Sequence, residues 1–534
     1  MPSISSAVTA HEAQLRRSVP PSFHCVCHYF HSTSTLLRDS SGLRSTTARI
    51  KLFFRLSTKH TSLVVREAMR EDRSKAMAIF GKHDYLLRFW NELTPEERQQ
   101  LVDQFTLYNM HEIDKAFKES EIPTKLEGLE PIAGDHYSVA DDIDESIMKE
   151  YWNTGLEAIA KGEVAAVVLA GGQATRLGSA VPKGTLSLGF TKCDTTDSLF
   201  AIQAARISRL QNLARALFPN SKPKIWWIVL TSSATAEATL KHLRDVLPVA
   251  MIDPGQLIVL AQRSIPCYDK NGGLFLSSKS SFEVSPNGNG GLYECLEAHC
   301  TSSINNVIKY FHVFSVDNVL CRVADPYFIG YCIKNNVDCA AKVVEKTDPF
   351  ERVGVICQTL HGVHVVEYSD LPAEVASARD DSGRLKFRAG NIASHFFTCD
   401  FVHAAVNYKL PLHRAFKKIP FIDRTTGILV KPETENGYKL EFFIFDAFKC
   451  AKNFHVWEVK RSEEFSPLKN AESVGKDCMS TCRRDYYAEC MRWLVKANVP
   501  IHVDGPIFIH PLYSYFGEGL EEYREKGVAG DLLP

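Results

Sequence analysis

The stretch VAAVVLAGGQATRLGSAVPKG, residues 164–184, contains the residues whose types and spacing most clearly suit chemistry. An apolar segment runs into the pair Gly171 and Gly172, and two cations, Arg176 and Lys183, follow. A buried strand that ends at paired glycines places backbone N–H groups at the carboxyl edge of a sheet, where ligands bind in open α/β sheets. The absent Cβ atoms let a phosphate or a base approach that backbone. These residues predict a triphosphate-binding loop, although a tight turn with two solvated cations fits them equally well.

Two familiar phosphate-binding loops are excluded by the order of the residues. A Walker loop has Gly-Lys-Ser/Thr after four intervening residues, whereas Lys183 follows Pro182 and precedes Gly184. The dinucleotide fingerprint G-x-G-x-x-G is not met by GGQATRLG. The sequence therefore supports neither an ordinary ATPase nor a nicotinamide dehydrogenase.

The elements that must position this loop alternate along the chain. Apolar runs rich in β-branched residues alternate with segments such as SLFAIQAARISRLQNLARAL, whose apolar residues recur at helical intervals. The strand candidates are 164–169, 225–230, 257–260, 311–316, 339–345, 353–356 and 363–368. This alternation predicts an α/β fold with a parallel or mixed sheet flanked by helices.

The composition divides the chain into four regions. Residues 1–70 are rich in Ser, Thr, Arg and His and poor in acids, so we expect a disordered extension. This composition overlaps with organelle transit peptides, and we favour an extension without a targeting role. Residues 77–160 predict a helical N-terminal lobe, in which LTPEER has the capping residue, proline and glutamate of a helix start. Residues 161–440 predict the central domain, and 441–534 a C-terminal region.

The 15 cysteines form no disulfide framework. Their odd number and scattered spacing predict reduced thiols in a cytosolic setting, most of them buried. The cluster HCVCHYFH in the extension contains zinc-ligand residue types, but its C-x-C spacing is too tight and no second pair follows. We therefore favour chance clustering. Cys478 and Cys482 are expected on one face of a helix.

Charge and hydropathy exclude several classes of protein. The formal net charge is -1, with 23% charged and 45% apolar residues, which gives no global reason for binding nucleic acid or a membrane surface. No apolar run approaches the length of a membrane span, and the amino terminus lacks a secretory signal. We expect a cytoplasmic protein that binds neither nucleic acid nor membrane.

The glycine-rich stretch resembles the signature of a known family. L-A-G-G-Q-x-T-R-L-G followed by P-K-G is similar to the signature of the eukaryotic UDP-N-acetylhexosamine pyrophosphorylases, also called UTP:N-acetylglucosamine-1-phosphate uridylyltransferases. Further blocks follow in the family's order and cover roughly residues 80–500. These blocks are NGNGG, SVDN, VVEKT, VGV, VEYS, AGNI, NGYK, FIFD and EFSPLKN. Each match alone is a hypothesis, but their common order argues strongly against coincidence.

The resemblance implies a Rossmann-like mixed central sheet of the nucleotidyltransferase type, with smaller N- and C-terminal lobes. It implies attack by a phosphate oxygen of N-acetylglucosamine 1-phosphate on the α-phosphorus of UTP, with Mg²⁺ as cofactor and pyrophosphate as leaving group. Such chemistry needs positioning and charge neutralisation rather than a covalent nucleophile. N-acetylgalactosamine 1-phosphate as a second acceptor, and an oligomeric state, are left open.

The resemblance places Arg176, Lys183 and Lys469 at the reacting phosphates, and Lys183 is expected to matter most. Asp317, after the apolar run FHVFSV, is implied to contact the nucleotide and Mg²⁺, although helix capping explains the residue alone. The other implied nucleotide positions are Leu169, Ala170, Gly171, Gly172, Gln262, Gly288 and Lys439. Around Gln262 the sequence AQRSIPCYD departs from the family pattern.

The sugar-binding positions implied by the resemblance are Asn289, Gly354, Glu367, Tyr368, Asn391, Phe443 and Phe445. A carboxylate and an amide can satisfy sugar hydroxyls and reject a wrong sugar by leaving polar groups unpaired. By itself, Glu367 in VHVVEYSD suggests an exposed strand position, and FFIF suggests one face of a strand. The resemblance puts Phe443 and Phe445 beside the N-acetyl group.

Ala174 is the clearest departure, because the family usually has glycine there. If the position needs a positive φ, alanine costs about 1 kcal/mol, whereas a methyl in the space of a phosphate would weaken binding. Alanine is the smallest possible change and both cations persist, so we predict retained activity. The alternative is a catalytically silent nucleotide-sugar-binding relative. An oxidoreductase would need the dinucleotide fingerprint that is missing.

Overall fold

The computed structural model describes residues 72–122, 126–132, 134–191, 193–300 and 307–533. The predicted extension over residues 1–70, with its HCVCHYFH cluster, lies outside them. The described chain begins with a helix at Arg73, slightly before the predicted start of the N-terminal lobe. All described residues belong to one compact unit, and the boundaries proposed within it stay predictions.

The α-helices among the described residues are α1 (Arg73–Phe80), α2 (Pro95–Thr106), α3 (Met110–Glu119), α4 (Glu145–Ala160), α5 (Asp194–Asp197), α6 (Leu199–Leu217), α7 (Ala236–Val249), α8 (Leu292–Cys300), α9 (Pro326–Lys334), α10 (Ala373–Ser377), α11 (Cys399–Asn407), α12 (Arg461–Glu464) and α13 (Met479–Lys496). The 3-10 helices among them are Gly81–Glu92, Gly134–His136, Ala140–Asp142, Thr175–Leu177, Lys183–Thr185, Pro254–Gln256, Asn289–Gly291, Ile444–Cys450, Glu472–Val474 and Leu520–Tyr523. The predicted helix start in LTPEER is confirmed, since Thr94 and Glu97 form a capping box on α2.

The strands among the described residues are β1 (Glu130–Pro131), β2 (Tyr137–Val139), β3 (Val164–Leu169), β4 (Ile225–Thr231), β5 (Leu257–Ala261), β6 (Ser264–Pro266), β7 (Tyr268–Asp269), β8 (Leu276–Ser278), β9 (Ser281–Phe282), β10 (Val284–Pro286), β11 (Tyr310–Ser315), β12 (Cys339–Glu345), β13 (Val355–Thr359), β14 (Gly362–Val366), β15 (Ala389–Thr398), β16 (His413–Lys417), β17 (Phe421–Ile422), β18 (Leu429–Val430), β19 (Gly437–Glu441) and β20 (Phe454–Val459). The strands predicted over 164–169 and 339–345 are confirmed as β3 and β12. The strand predicted over 353–356 begins later, at Val355.

The central sheet has the strand order β2-β20-β12-β15-β11-β3-β4-β5. Strand β15 runs antiparallel to its neighbours β11 and β12, and the other pairs along this path are parallel. The hairpin β13–β14 joins β15 at one end. This mixed sheet with flanking helices confirms the predicted fold class. Because the parallel strands on both sides of β15 share one direction, their carboxyl ends lie along a common edge.

Side chains of the central strands alternate between two buried layers. Val164, Ala166 and Val168 of β3 face a core cluster that contains residues of α4, α6, α7 and α9. Ala165 and Val167 face a second cluster, which contains residues of α8 and α11. A strand covered by helices on both faces needs apolar side chains on both, which explains the continuous apolar run before the glycines.

The cysteines whose side chains the structure describes are free and mostly buried, as the sequence predicts. Of the twelve whose side chains are described, all are free thiols and eight are buried. Cys478 is the N-cap residue of α13, and Cys482 lies one turn later in that helix. Among the described residues, no helix combines the length and apolar character that crossing a membrane requires.

Candidate functional site

Three strands end together at the carboxyl edge of the central sheet. Strands β3, β4 and β11 are in register, so that Leu169 pairs with both Leu230 and Ser315. The N–H of Ala170 donates to the carbonyl of Leu230 at 2.8 Å, and the N–H of Val316 donates to that of Leu169 at 3.2 Å. The glycine-rich loop and the segment after β11 therefore leave the sheet side by side.

The glycine-rich loop, residues 170–184, folds back to its own start. The N–H of Lys183 donates to the carbonyl of Gly172 at 3.3 Å. The chain can pack this closely because Gly184 has no Cβ, which would lie 2.2 Å from the ring of Phe200. Lys183 is thus brought back beside the paired glycines, as the phosphate-loop hypothesis requires.

Ala174 fits this loop without backbone strain. Its φ is -82°, so the positive φ that would make alanine costly is absent, and that explanation for a family glycine is wrong for this chain. The residue is only 1% exposed, and its N–H donates to the carbonyl of Val181 at 3.0 Å. The methyl group is therefore enclosed by protein and takes no space from the solvent side of the loop.

The predicted cation and carboxylate meet at this edge. The Nζ of Lys183 lies 3.3 Å from Oδ2 of Asp317, and the two side chains are 17% and 15% exposed. The hydroxyl of Ser315 donates to Oδ1 of the same carboxylate at 2.8 Å. Arg176 is exposed and forms no ion pair with any residue that the structure describes. One cation is thus held in place and a second is available for an anion.

A buried clamp joins the segment 464–469, which carries the predicted Lys469, to the Asp317 segment. The amide nitrogen of Asn318 donates to the carbonyl of Glu464 at 2.7 Å. The N–H of Leu468 donates to the carbonyl of Asp317 at 2.9 Å. Two parts of the chain that are far apart in sequence are therefore fixed at one edge of the sheet.

A buried ion cluster fixes the clamp in turn. The Nζ of Lys342, on β12, lies 2.5 Å from a carboxylate oxygen of Asp325 and 2.5 Å from one of Glu464. Arg322 lies 3.2 Å from the other oxygen of Glu464. Removing one partner from such a cluster leaves a buried charge uncompensated, so these residues are expected to hold the site by stabilising the fold.

A cavity of about 350 Å³ opens beside the glycine-rich loop, at the carboxyl ends of β3 to β5. The predicted residues that line it are Leu169, Gly171, Gly172, Gln262, Gly288, Asn289, Lys439 and Phe443. Ala170 is buried in the core instead, and Asp317 lies at the same edge but outside the lining. A Cβ on Gly171 would lie 3.0 Å from the amide nitrogen of Gln262. The cavity thus combines exposed backbone, an amide and a lysine.

The loop PNGNGG connects this cavity to the C-terminal half. Gly288 has φ +86°, and a Cβ there would lie 2.5 Å from the carbonyl oxygen of Phe442. The side-chain oxygen of Asn289 accepts a hydrogen bond from the N–H of Ile444 at 2.9 Å. The glycine is therefore needed both for its conformation and for the close approach of the second segment.

A second cavity, of about 450 Å³, adjoins the first, because Phe443 lines both. Glu367 and Phe445 are the other predicted residues in its lining. Gly354 lies beneath Glu367, since a Cβ there would be 3.4 Å from Oε1 of that carboxylate. The N–H of Asn391 donates to the carbonyl of Gly354 at 2.8 Å. Most of the predicted sugar positions are therefore gathered around this cavity.

Tyr368 does not share this placement. Its side chain is 45% exposed and lies outside the lining of both cavities. The residue directly before it, Glu367, is the one that lines the second cavity. The structure thus separates two neighbours to which the resemblance gave the same role.

Glu367 sits in an environment that disfavours its charge. Burial raises the pKa of its carboxyl group, and the nearby Asp370 raises it further, whereas His413 and Lys469 lower it. The charge of Lys469 therefore acts on a carboxyl group that lines the second cavity. The backbone N–H of Lys469 is held by the carbonyl of Asp477 at 2.7 Å.

The strand expected over FFIF is not present. Strand β19 ends at Glu441, and a 3-10 helix begins at Ile444. The N–H of Phe442 is bound by the carbonyl of Asn287, which turns the chain away from the sheet. Phe443 and Phe445 consequently line a cavity instead of filling one face of a strand.

Two residues of the second cavity have no role predicted from the sequence, although Asp446 ends the block FIFD. His413 on β16 and Asp446 in the 3-10 helix both line it, and Nε2 of the histidine lies 2.7 Å from Oδ2 of the aspartate. They are separated by 33 positions in the chain, and a lone histidine in PLHRAFKK follows no motif. Only the fold brings them together.

A larger cavity lies elsewhere, at the carboxyl ends of β2, β12 and β20. It has a volume of about 1040 Å³ and contains none of the predicted site residues. Its charged lining is largely paired internally: Lys460 contacts Asp141 at 2.6 Å and Arg461 contacts Glu351 at 2.6 Å. Size alone therefore does not make it the candidate site.

The fold and the two adjoining cavities define an α/β protein with a ligand site at the carboxyl edge of its parallel strands, where nucleotides bind in such folds. Residues 105–493 match the UTP--glucose-1-phosphate uridylyltransferase family. The chain belongs to this family. The resemblance to the eukaryotic UDP-N-acetylhexosamine pyrophosphorylases is confirmed as well, because relatives with such names match more than four fifths of the chain.

Individual relatives cover most of the chain. It is 43% identical over 468 residues to the "Probable UDP-N-acetylglucosamine pyrophosphorylase" of Caenorhabditis elegans, which is 86% of this chain and 96% of that protein. It is 38% identical over 385 residues to the UDP-N-acetylglucosamine pyrophosphorylase of Saccharomyces cerevisiae, which is 71% of this chain and 79% of that one. The crystal structure of the uridine diphosphate N-acetylglucosamine pyrophosphorylase from Trypanosoma brucei in complex with inhibitor aligns with a TM-score of 0.73 and 27% identity, over 87% of this chain and 98% of that chain.

Proposed function

We propose that the protein transfers the uridylyl group of UTP to N-acetylglucosamine 1-phosphate, giving UDP-N-acetylglucosamine and pyrophosphate. One observation carries the proposal: two adjoining cavities share Phe443, and the pair Lys183–Asp317 lies at the same edge of the sheet. The names of the C. elegans and S. cerevisiae relatives support the same reaction. N-acetylgalactosamine 1-phosphate is a second acceptor to be tested beside it.

In this reaction a phosphate oxygen of the sugar 1-phosphate attacks the α-phosphorus of UTP. The bond from that phosphorus to the bridging oxygen breaks, and pyrophosphate leaves with the electron pair. Lys183 and Arg176 would neutralise the charge that develops on the leaving group, and Lys469 would hold the phosphate of the sugar. No covalent nucleophile is needed, because the two phosphates only have to be held in line.

The first cavity is proposed to hold the nucleotide and the second the sugar. Backbone groups of residues 169–172 are suited to the uracil and ribose, because the glycines let a ligand approach closely. Lys439, in the same lining, would contact a phosphate of the nucleotide. The remaining proposed nucleotide contacts are Gln262 and Gly288. The proposed sugar contacts are Asn289, Gly354, Glu367, Asn391, Phe443 and Phe445. A sugar contact by Tyr368, which lies outside the lining of both cavities, stays a prediction of the resemblance.

Asp317 is proposed to bind Mg²⁺ together with phosphate oxygens of UTP. No group of three or more His, Cys, Asp and Glu side chains in the described part of the chain could hold a metal alone. A magnesium ion bound through one carboxylate and substrate phosphates fits such a site. When bound, the ion neutralises charge on the phosphates. We also propose a cytoplasmic location, which the free thiols support.

Pyrophosphate release by the purified protein tests the proposal. UTP and Mg²⁺ are supplied with N-acetylglucosamine 1-phosphate, N-acetylgalactosamine 1-phosphate or glucose 1-phosphate in parallel. We expect turnover on an N-acetylhexosamine 1-phosphate and much weaker turnover on glucose 1-phosphate. UTP binding without turnover on any of the three would identify a silent nucleotide-sugar-binding relative instead.

Two lysines of one loop provide a matched pair of variants. Lys469→Ala removes the lysine that lowers the pKa of Glu367 in the second cavity. Lys476→Ala removes an exposed lysine seven residues further along the chain. We expect the first variant to raise the KM for the sugar 1-phosphate about tenfold or more and the second to change it little. Equal effects of the two substitutions would remove Lys469 from the proposed site.

A further inference from the structure

A third aromatic ring continues the wall that Phe443 and Phe445 form. The ring centroids of these two residues are 5.0 Å apart. The ring of His413 stacks on Phe443, with centroids 4.4 Å apart and an angle of 26° between the planes. Because His413 also lines the second cavity, the wall has three rings, and the third ring carries polar atoms.

Asp446 determines where the proton on this histidine lies. Nε2 of His413 is 2.7 Å from Oδ2 of Asp446. A carboxylate only accepts hydrogen bonds, so Nε2 carries the proton and donates it. In the neutral ring Nδ1 is then an acceptor, and it has no hydrogen-bond partner among the residues that the structure describes. A nitrogen in this state, at the wall of a cavity, can accept a hydrogen bond from a ligand.

We propose that His413 is a sugar-binding residue of this protein. In the neutral ring its Nδ1 accepts a hydrogen bond from the sugar 1-phosphate, on the side where the resemblance places the N-acetyl group, and the ring extends the apolar wall against that group. Asp446 is a positioning residue, because it acts through the histidine by fixing its tautomer and orientation. The inference rests on the proposed function, since it assigns the second cavity to the sugar.

His413→Phe tests this directly, because it keeps a stacked ring and removes Nδ1. We expect the KM for N-acetylglucosamine 1-phosphate to rise about tenfold, because one hydrogen bond to the sugar is lost. The KM for UTP should stay within about twofold, because no contact to the nucleotide changes. His361→Phe is the matched control, because His361 is an exposed histidine in the β13–β14 turn, outside both cavities. An unchanged KM for the sugar phosphate, or an equal rise for UTP, overturns the inference.

Asp446 could be left buried without its partner in this variant, which would weaken the fold. The double variant His413→Phe/Asp446→Asn removes that buried charge and keeps the same test. The single variant Asp446→Asn is expected to raise the KM for the sugar 1-phosphate less than His413→Phe does, because the histidine is still present.

If the wild-type protein shows no turnover with UTP and any of the three sugar phosphates, the proposed function fails and the inference fails with it. If the wild-type protein turns over normally, and His413→Phe and the double variant both keep its KM values, only the inference fails.

Discussion

The proposed nucleotide side of the site is lined largely by backbone, whereas the proposed sugar side is lined by side chains. The first cavity lies where β3, β4 and β5 end, and glycine-rich backbone forms much of its lining. The second cavity is lined by side chains that come from β14, β16 and the segment 443–446. Backbone recognition depends on the course of the chain, whereas side-chain recognition changes with single functional groups. We therefore expect the nucleotide side to be sensitive to added volume and the sugar side to changes of polarity.

The largest effect is expected where both sides meet, at the phosphates. Lys183→Ala should lower kcat by about 10²- to 10³-fold, because it removes a cation held in place for the developing charge. Lys222→Ala, at an exposed lysine before β4, should leave kcat unchanged. Steady-state rates of pyrophosphate release check both variants. A loss below tenfold for Lys183→Ala would contradict its assigned role.

Added volume should break the nucleotide side. Gly288→Ala and Gly383→Ala both place alanine at a positive φ, +86° and +82°, but only the first puts a Cβ against Phe442, at 2.5 Å. Gly383→Ala should therefore cost only the strain of about 1–2 kcal/mol. Gly288→Ala should cost more stability and also raise the KM for UTP about tenfold. Thermal unfolding and UTP kinetics of the two variants, side by side, separate strain from displacement of the loop.

A change of polarity should sharpen the contrast on the sugar side. Because burial raises the pKa of Glu367, its charged form is disfavoured in the folded protein. The free energy of unfolding therefore falls as pH rises through that raised pKa. Glu367→Gln should thus raise Tm at pH 7, with the difference shrinking towards zero as pH falls below about 4. The KM for the sugar 1-phosphate should rise about tenfold and that for UTP should change little.

Glu374→Gln, at an exposed carboxylate on α10, is the control for this variant. It should change neither the pH dependence of Tm nor either KM. A Glu367→Gln protein that is less stable than wild type at neutral pH would show that the carboxylate is stabilised, not strained, in its pocket.

The smallest effect is expected from Ala174→Gly. The residue has a negative φ and is buried, so restoring glycine removes a methyl group without relieving strain. Stability should fall by about 0.5–1 kcal/mol and kcat should change less than about twofold. A large gain in activity would mean that the methyl group disturbs the loop.

The two sides also differ in how well the sequence predicts them. The run 164–169 and the paired glycines identify β3 and its loop, because a strand buried on both faces is apolar throughout. On the sugar side, FFIF suggests a strand, but the N–H of Ile444 is bound by Asn289, 155 residues earlier. Contacts of this range decide the local conformation and leave no pattern near Phe443. The resemblance to a family supplied these positions where periodicity could not.

The same limit explains why His413 and Asp446 escape prediction. His413 belongs to no motif, and Asp446 ends the block FIFD without a role of its own. Only the packing of β16 against the segment after β19 pairs them. The buried clamp around Asn318 is equally invisible, since its partner Glu464 belongs to α12. Strand ends and glycines can be read along the chain, whereas cavities made from distant side chains require the fold.

The most direct test of the central claim follows each phosphorus of UTP. The purified protein is incubated with Mg²⁺, N-acetylglucosamine 1-phosphate and UTP labelled with ³²P at either the α or the γ position. We predict that the α label appears in UDP-N-acetylglucosamine and the γ label in pyrophosphate. Release of the γ label as orthophosphate, its transfer to the sugar, or no turnover despite UTP binding would contradict uridylyl transfer.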